Sequence, residues 1–339
     1  MKVGSFGETA LIERLVGSRR PGGDGVVLGV GDDAAAVAPS EGMLALVTCD
    51  SQVEGVHFVM ERTSPERVGR RAAAVSVSDV AAMGGEPRWA VAALAAPPDA
   101  ELDELEGVFQ GLIEGLEETG AALVGGNTVR SGGGGISLDL TVIGEVRAAE
   151  LLTRGGAAPG DLLCATGELG GSAAGLLALE SPEAGIDEGA RRSAIERHLE
   201  PRARIAVGRV LATSKSVTAC IDISDGLLRD AGHLARAGGV ALRIDAERVP
   251  LSEAAIGVGR ACDRDPLELA LSSGEELELL FAVERGAAGE LVERIERETG
   301  VAAQVIGEVA GGEPGVCVLR DGVPIEPARS GWDHFSANR

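Results

Sequence analysis

Asp32, Asp33 and Asp50 stand at the ends of two short apolar runs, residues 26–30 and 44–48, within the stretch GVGDDAAAVAPSEGMLALVTCDSQVEGVHF. Acids at strand ends crowd together, and crowded carboxylates repel unless a positive group joins them. For any single one of them a plain turn marked by Gly-Asp or Cys-Asp is an equal reading. Repetition favours chemistry. Asp79 interrupts the apolar middle of SVSDVAAMG, where an unpaired acid is costly. Asp222 and Asp225 bracket Ser224 in ACIDISDGLLRD, where a β-branched run gives way to a helical pattern with Gly226 at its start. Two acids and a hydroxyl at such a turn make a metal or phosphate platform, or equally an Asp/Ser helix cap. A shared divalent cation would explain the whole series.

Other segments offer partners for that chemistry. The run Gly125-Gly126-Asn127-Thr128 reads as a loop after a strand at 121–124, its backbone N–H groups open to a phosphate and its Asn127 amide oxygen a hard ligand. Residues 29–34 superficially match the GxGxxA dinucleotide fingerprint, but two adjacent carboxylates argue against unassisted phosphate binding there. Gly170-Gly171-Ser172 precedes a helical pattern and suits either a cap or an anion. His57 follows a Gly-rich turn shortly after Asp50; a structural histidine is the commoner case, yet it is placed to donate a hydrogen bond into the same cleft. Trp332, in the closing SGWDHF, covers a core edge or stacks on a ligand ring.

Elements must position these groups, and the pattern supplies them. Apolar spacing predicts helices over 8–17, 65–84, 101–119, 188–199, 201–212 and 287–299, and strands over 89–95, 136–146, 161–166, 279–283, 304–309 and 316–319. At 339 residues the chain exceeds what one core usually supports, so two domains are expected, 1–148 and 149–339, joined through a Gly-rich junction near 151–160 that carries Arg154. With two Trp, five Phe and no Tyr, the cores must be built from Ala, Val, Leu and Ile.

Charge narrows the function classes. The balance of 53 acids against 31 bases gives a net charge of −22, which repels nucleic acid and acidic membranes. The chain has no run long enough to cross a bilayer and no signal-peptide core, and its five cysteines form no CxxC pair, so a cytosolic location is expected. Its two lysines, Lys2 and Lys215, lie in no GxxxxGK[ST] pattern, which excludes a P-loop. Phosphate handling would then rely on metal ions.

Taken in order, GVGDDAAAV, VTCDSQVEGVHF, SVSDVAAMGGEPRWA, LVGGNTVRSG, LTRGGAAPGDLLCATGELGGSAAGL, IDISDGLLRD and GWDHF resemble the thiamine-monophosphate kinase family, collinearly from about residue 4 to 335. That family shares an ATP-binding superfamily with aminoimidazole ribonucleotide synthetase and selenophosphate synthetase. The resemblance implies an α+β chain of two domains, an N-terminal ATP and magnesium domain whose mixed sheet forms a homodimer interface, and a C-terminal α+β domain. It implies transfer of the ATP γ-phosphoryl group to thiamine monophosphate with several magnesium ions. By motif, Asp33, Thr48, Cys49, Asp50, Asp79, Asn127, Asp222 and Asp225 fall at metal positions. Gly126, Asn127, Arg154 and Ser224 fall at nucleotide positions, and His57, Glu275 and Trp332 at thiamine phosphate positions.

Three departures stand out. Asn127 replaces the usual Asp of GGDT, Cys49 replaces a hydroxyl residue, and Ser273-Gly-Glu-Glu-Leu-Glu278 replaces GGEDYEL. Asn keeps an oxygen but loses a charge, and a thiol suits magnesium poorly. Two rival readings follow: another ATP-dependent enzyme of the superfamily, or an ATP-binding paralogue with impaired catalysis. No cysteine precedes Cys49, which disfavours selenophosphate chemistry, and GVHF and GWDHF disfavour the purine enzyme.

Overall fold

In the computed structural model, residues 2, 8–16, 24–30 and 34–332 are described. Asp32, Asp33 and the residues after Trp332 lie outside them. The chain divides into two compact units, residues 1–80 with 85–149, and residues 81–84 with 150–339.

The first unit holds α1 (Glu8–Val16), a small hairpin of β1 (Val26–Leu28) and β2 (Ala36–Val37), β3 (Met43–Val53), most of α2 (Pro65–Ala82), β4 (Glu86–Ala96), α3 (Leu102–Glu118), β5 (Ala122–Arg130) and β6 (Ser137–Arg147). Its main sheet has the order β3-β6-β4-β5, with only the β4–β5 pair parallel. The parallel pair follows from the helical crossover α3 between them. Alternation sends Leu138, Leu140 and Val142 of β6 and Ala92 and Leu94 of β4 into the core, together with Ala73 and Val77 of α2 and Leu105 and Leu112 of α3. Helix α2 needs small residues to approach α3: a Cβ at Gly69 would lie 1.9 Å from the Val108 carbonyl oxygen. Gly84, at φ +72, ends the turn after α2 as its position in the sequence predicts.

The second unit contains β7 (Leu162–Thr166), α4 (Gly171–Glu180), α5 (Glu188–Leu199), α6 (Ile205–Ala212), β8 (Val217–Asp222), α7 (Leu227–Gly238), β9 (Ala241–Asp245), α8 (Glu253–Ala261), α9 (Pro266–Ser272), β10 (Leu279–Val283), α10 (Ala288–Thr299), β11 (Ala303–Ala310), β12 (Gly315–Arg320) and β13 (Val323–Ile325). Seven strands form one sheet in the order β13-β12-β9-β11-β7-β10-β8, mostly antiparallel. Strand β10 is buried along its whole length, as a continuous apolar run covered on both faces must be. Leu280 and Ala282 join one core with Leu227 and Leu234, while Leu279 and Phe281 join another with Val207 and Leu291.

Two elements differ from expectation. The helix predicted from 201 begins at Ile205, because Arg204 is turned into a non-helical cap position and its guanidinium is drawn to Glu278. The GGNT segment is no loop: β5 runs on through Gly125–Arg130 beside β4. A Cβ at Gly126 would lie 2.1 Å from the Ala92 carbonyl oxygen, so the glycine serves close strand approach.

Candidate active site

On β3 the core-facing positions are Leu46, Thr48, Asp50 and Gln52, and they pair across the ladder with Gly144, Val142, Leu140 and Leu138. Polar groups therefore enter an apolar layer at the sheet's edge. They are met by α2, since the Thr48 hydroxyl donates to Asp79 Oδ2 across 31 residues of sequence. Asp50 Oδ2 is buried with no hydrogen-bond partner. Burial, with repulsion from Asp79, pushes Asp50 up to about 6. The Ser76 hydroxyl offsets part of that shift from nearby but makes no hydrogen bond of normal geometry. Hydroxyl and carboxylate oxygens around an unsatisfied buried acceptor are the donor set of a hard divalent cation. Magnesium fits these residues.

The alternation that turns Thr48 and Asp50 inward turns Cys49 to the opposite, exposed face, so the thiol does not join them. Asn127 is also apart from Asp50. Its row across the sheet runs Asn127, Ala93, Asp139, Ser51, three strand spacings or about 14 Å from edge to edge. Asn127 and Gly126 are exposed on the far edge strand and line a small cleft of about 50 Å³ with Ile12, Leu15, Ala92, Phe109 and Leu123. His57 sits in the turn after β3, where its Nδ1 accepts the Val53 N–H at 3.1 Å. In the neutral ring the proton is then on Nε2, the donor form.

In the second unit Asp222 ends β8, buried, and Ser224-Asp225-Gly226 turns into α7. Asp230, in the first turn of α7, organises this turn: its Oδ2 accepts the N–H groups of Ser224, Asp225 and Gly226, each at 3.0 Å. Burial and the charge of Asp225 nevertheless push Asp230 up to about 7. Asp225 itself pairs with Arg229 Nε at 3.1 Å, and one ligand atom each from Asp225, Asp230 and His233 lies within 4.8 Å of the others. Arg154 is exposed on a segment whose Thr153 carbonyl accepts the Cys220 N–H. Burial, then the charges of Arg236, Arg154 and Arg229, hold His233 below the usual imidazole range. Positive charge thus gathers along this side of α7, the setting a phosphate needs. Asp230 and His233 are absent from the sequence-derived set, although an acid four residues beyond Gly226, in a helix's first turn, is a capping signal.

The Ser273–Glu278 segment separates its three acids. Glu275 lies in the left-handed region at φ +56, half-buried, and its N–H donates to the Ser224 carbonyl at 2.7 Å. Glu276 turns inward and accepts the Ser172 N–H at 3.1 Å, while Ser273 Oγ accepts the Ala173 N–H at 2.9 Å. The Gly-Gly-Ser helix start is therefore capped by protein groups, the capping alternative of the two read from sequence. Burial pushes Glu276 up to about 7. Glu278 takes the Arg204 guanidinium through Nε at 2.8 Å and accepts the Thr166 hydroxyl at 2.6 Å. Trp332 is 42% exposed, and its N–H donates to the Asp225 carbonyl at 2.8 Å. Ser224, Asp225, Glu275 and Trp332 are therefore joined through their backbones, with Trp332 partly exposed beside them.

Comparison with known proteins matches two family models, the N-terminal domain of AIR synthase related protein over residues 31–146 and its C-terminal domain over 158–319. Thiamine-monophosphate kinase of Salmonella typhimurium is 36% identical over 332 residues, which cover 97% of this chain and 98% of that protein. The crystal structure of thiamine-monophosphate kinase from Stenotrophomonas maltophilia K279a superposes with a TM-score of 0.78 at 31% identity, over 93% of this chain and 95% of that one. A structure of AaThiL complexed with AMPPCP and TMP gives 0.75 at 33% identity over 99% of both chains.

Proposed function

The chain belongs to the thiamine-monophosphate kinase family, and we propose that it transfers the γ-phosphoryl group of ATP to thiamine monophosphate, yielding thiamine diphosphate and ADP. Membership makes it an α+β kinase of two AIR-synthase-type domains. The substrates are inferred from the relative complexed with AMPPCP and TMP. The observation that carries the reading on this chain is the Thr48–Asp50–Asp79 oxygen cluster with its unsatisfied buried carboxylate oxygen.

On this reading Thr48, Asp50 and Asp79 of the first unit would hold magnesium, and so, in the second unit, would Asp222 and Asp225. Bound there, magnesium supplies neutralisation of phosphate charge. No protein base is needed, because a phosphate monoester has a second pKa near ~6 and its attacking oxygen is already ionised at neutral pH. That oxygen forms the new bond to the γ-phosphorus as the bond to the β-phosphate oxygen breaks, and ADP leaves. Arg154 and Ser224 orient phosphate. Gly126 and Asn127, exposed on the β5 edge, contact the nucleotide. His57, Glu275 and Trp332 hold the acceptor, with His57 Nε2 as hydrogen-bond donor and Trp332 as a stacking face.

The functional form is a homodimer. The outward sheet face leaves Val47 70% and Val129 50% exposed on its two edge strands, an apolar surface that a second copy would cover. The five free thiols suit a reducing compartment, which supports a cytoplasmic location. Among the described residues no helix is long and apolar enough to cross a membrane.

A screen of ADP release with thiamine monophosphate, aminoimidazole precursors and selenide as acceptors tests this reading. Release with thiamine monophosphate alone is expected. Preference for another acceptor would move the chain elsewhere in the superfamily, and nucleotide binding without any release would mark an impaired paralogue.

A further inference from the structure

Among the described residues, three side-chain oxygens around α2 and the inward face of β3 are buried without a hydrogen-bond partner: Asp50 Oδ2, Gln52 Oε1 and Ser76 Oγ. Gln52 is 2% exposed and Ser76 0%. The β6 residue paired with Gln52 is Leu138, and the next along that face is Leu140, both at most 1% exposed, so across the ladder the amide meets hydrocarbon. Gln52 follows Asp50 by two residues and so shares its face of the strand. Ser76 lies one helical turn before Asp79, on the helix that the Thr48–Asp79 hydrogen bond ties to β3. A buried polar atom left unsatisfied is costly, and three such oxygens on neighbouring positions of β3 and α2 call for a ligand.

We infer that Gln52 and Ser76 extend the Asp50 cluster inward, so that a divalent cation held by Asp50 is also held, directly or through its waters, by the Gln52 carbonyl and the Ser76 hydroxyl. The inference rests on the magnesium-assisted reading above and deepens it. All three atoms are hard oxygens, and an amide carbonyl is an ordinary ligand or water acceptor for magnesium. A lone buried water would satisfy the hydrogen bonds but would leave no reason for an amide here, since leucine would pack the layer better.

The test is Mn²⁺ titration of the full chain, followed by electron paramagnetic resonance in the presence of a non-hydrolysable ATP analogue, for wild type, Gln52→Leu and Ser76→Ala. Wild type should bind Mn²⁺, and each variant should bind ~10-fold more weakly, the usual cost of removing a supporting ligand. The metal-free melting temperature of Gln52→Leu should not fall. Equal Mn²⁺ affinity in wild type and Gln52→Leu overturns the inference and leaves the kinase reading intact; absence of Mn²⁺ binding in wild type overturns both. Should Gln52→Leu fail to fold, Gln52→Glu serves: an added carboxylate should tighten Mn²⁺ binding, and unchanged or weaker binding contradicts the site.

Discussion

Thr48 and Asp79, on a strand and a helix 31 residues apart, are joined by a hydroxyl-to-carboxylate hydrogen bond on the side of the sheet that carries Asp50. That bond fixes one Asp79 oxygen beside Asp50, whose carboxyl is driven upward by burial first and by the Asp79 charge second; on the proposed reading a cation would relieve both. Replacing Asp50 or Asp222 by Ala should lower turnover by orders of magnitude at saturating magnesium while circular dichroism shows the fold unchanged. Near-normal turnover in both variants would remove the site.

Glu276 predicts a pH dependence of stability. Its folded pKa is raised from 4.5 to about 7, by burial first, so the folded chain keeps a proton that the unfolded chain has already lost. The stabilising contribution is full below about pH 4.5 and is lost as pH rises through 7, a span of about 3 kcal/mol at most. Urea unfolding between pH 4.5 and 8 should show this slope in wild type and much less of it in Glu276→Gln, which keeps an acceptor for the Ser172 N–H.

Arg204 and Glu278 form a buried ion pair whose acid is 3% exposed and also accepts from Thr166. Arg204→Met leaves that carboxylate uncompensated and should cost about 3 kcal/mol or more in denaturant unfolding. The double variant Arg204→Met with Glu278→Leu should recover much of the loss.

Gly331 has φ +123, and a Cβ there would lie 2.5 Å from the Asp225 carbonyl oxygen that also accepts the Trp332 N–H. Gly331→Ala should therefore displace Trp332, raising KM for thiamine monophosphate ~10-fold with little change in KM for ATP. Equal changes in both would show that Trp332 does not meet the acceptor.

Asp50, Asp79 and Asp222 stand out in the sequence because each interrupts an apolar run, and an interruption of that kind is visible without tertiary contacts. Residues 231–272, where the sequence pattern marked no separate elements, hold most of α7 with β9, α8 and α9; short amphipathic pieces there lack strong boundaries. The Gly125-Gly126 pair misled because glycine serves a turn and a close strand approach equally well, and only the neighbouring Ala92 carbonyl decides. Among Glu275, Glu276 and Glu278 residue type alone offers no ranking, and only the family motif singles out Glu275. Their roles are divided by the positive φ of Glu275 and Leu277 and by contacts such as Ser172 with Glu276, 104 residues apart. Asp230 was overlooked for a similar reason: its three N–H donors belong to a turn whose shape only the fold defines.

The central claim is magnesium-assisted transfer of one phosphoryl group between two phosphate-bearing substrates. It is tested most directly by quantifying ADP and thiamine diphosphate together after incubating the enzyme with ATP and thiamine monophosphate, with magnesium and with a chelator. Equimolar ADP and thiamine diphosphate, formed only with magnesium and lost in Asp50→Ala, is the predicted result. Equal product with the chelator, or ADP without thiamine diphosphate, would contradict it.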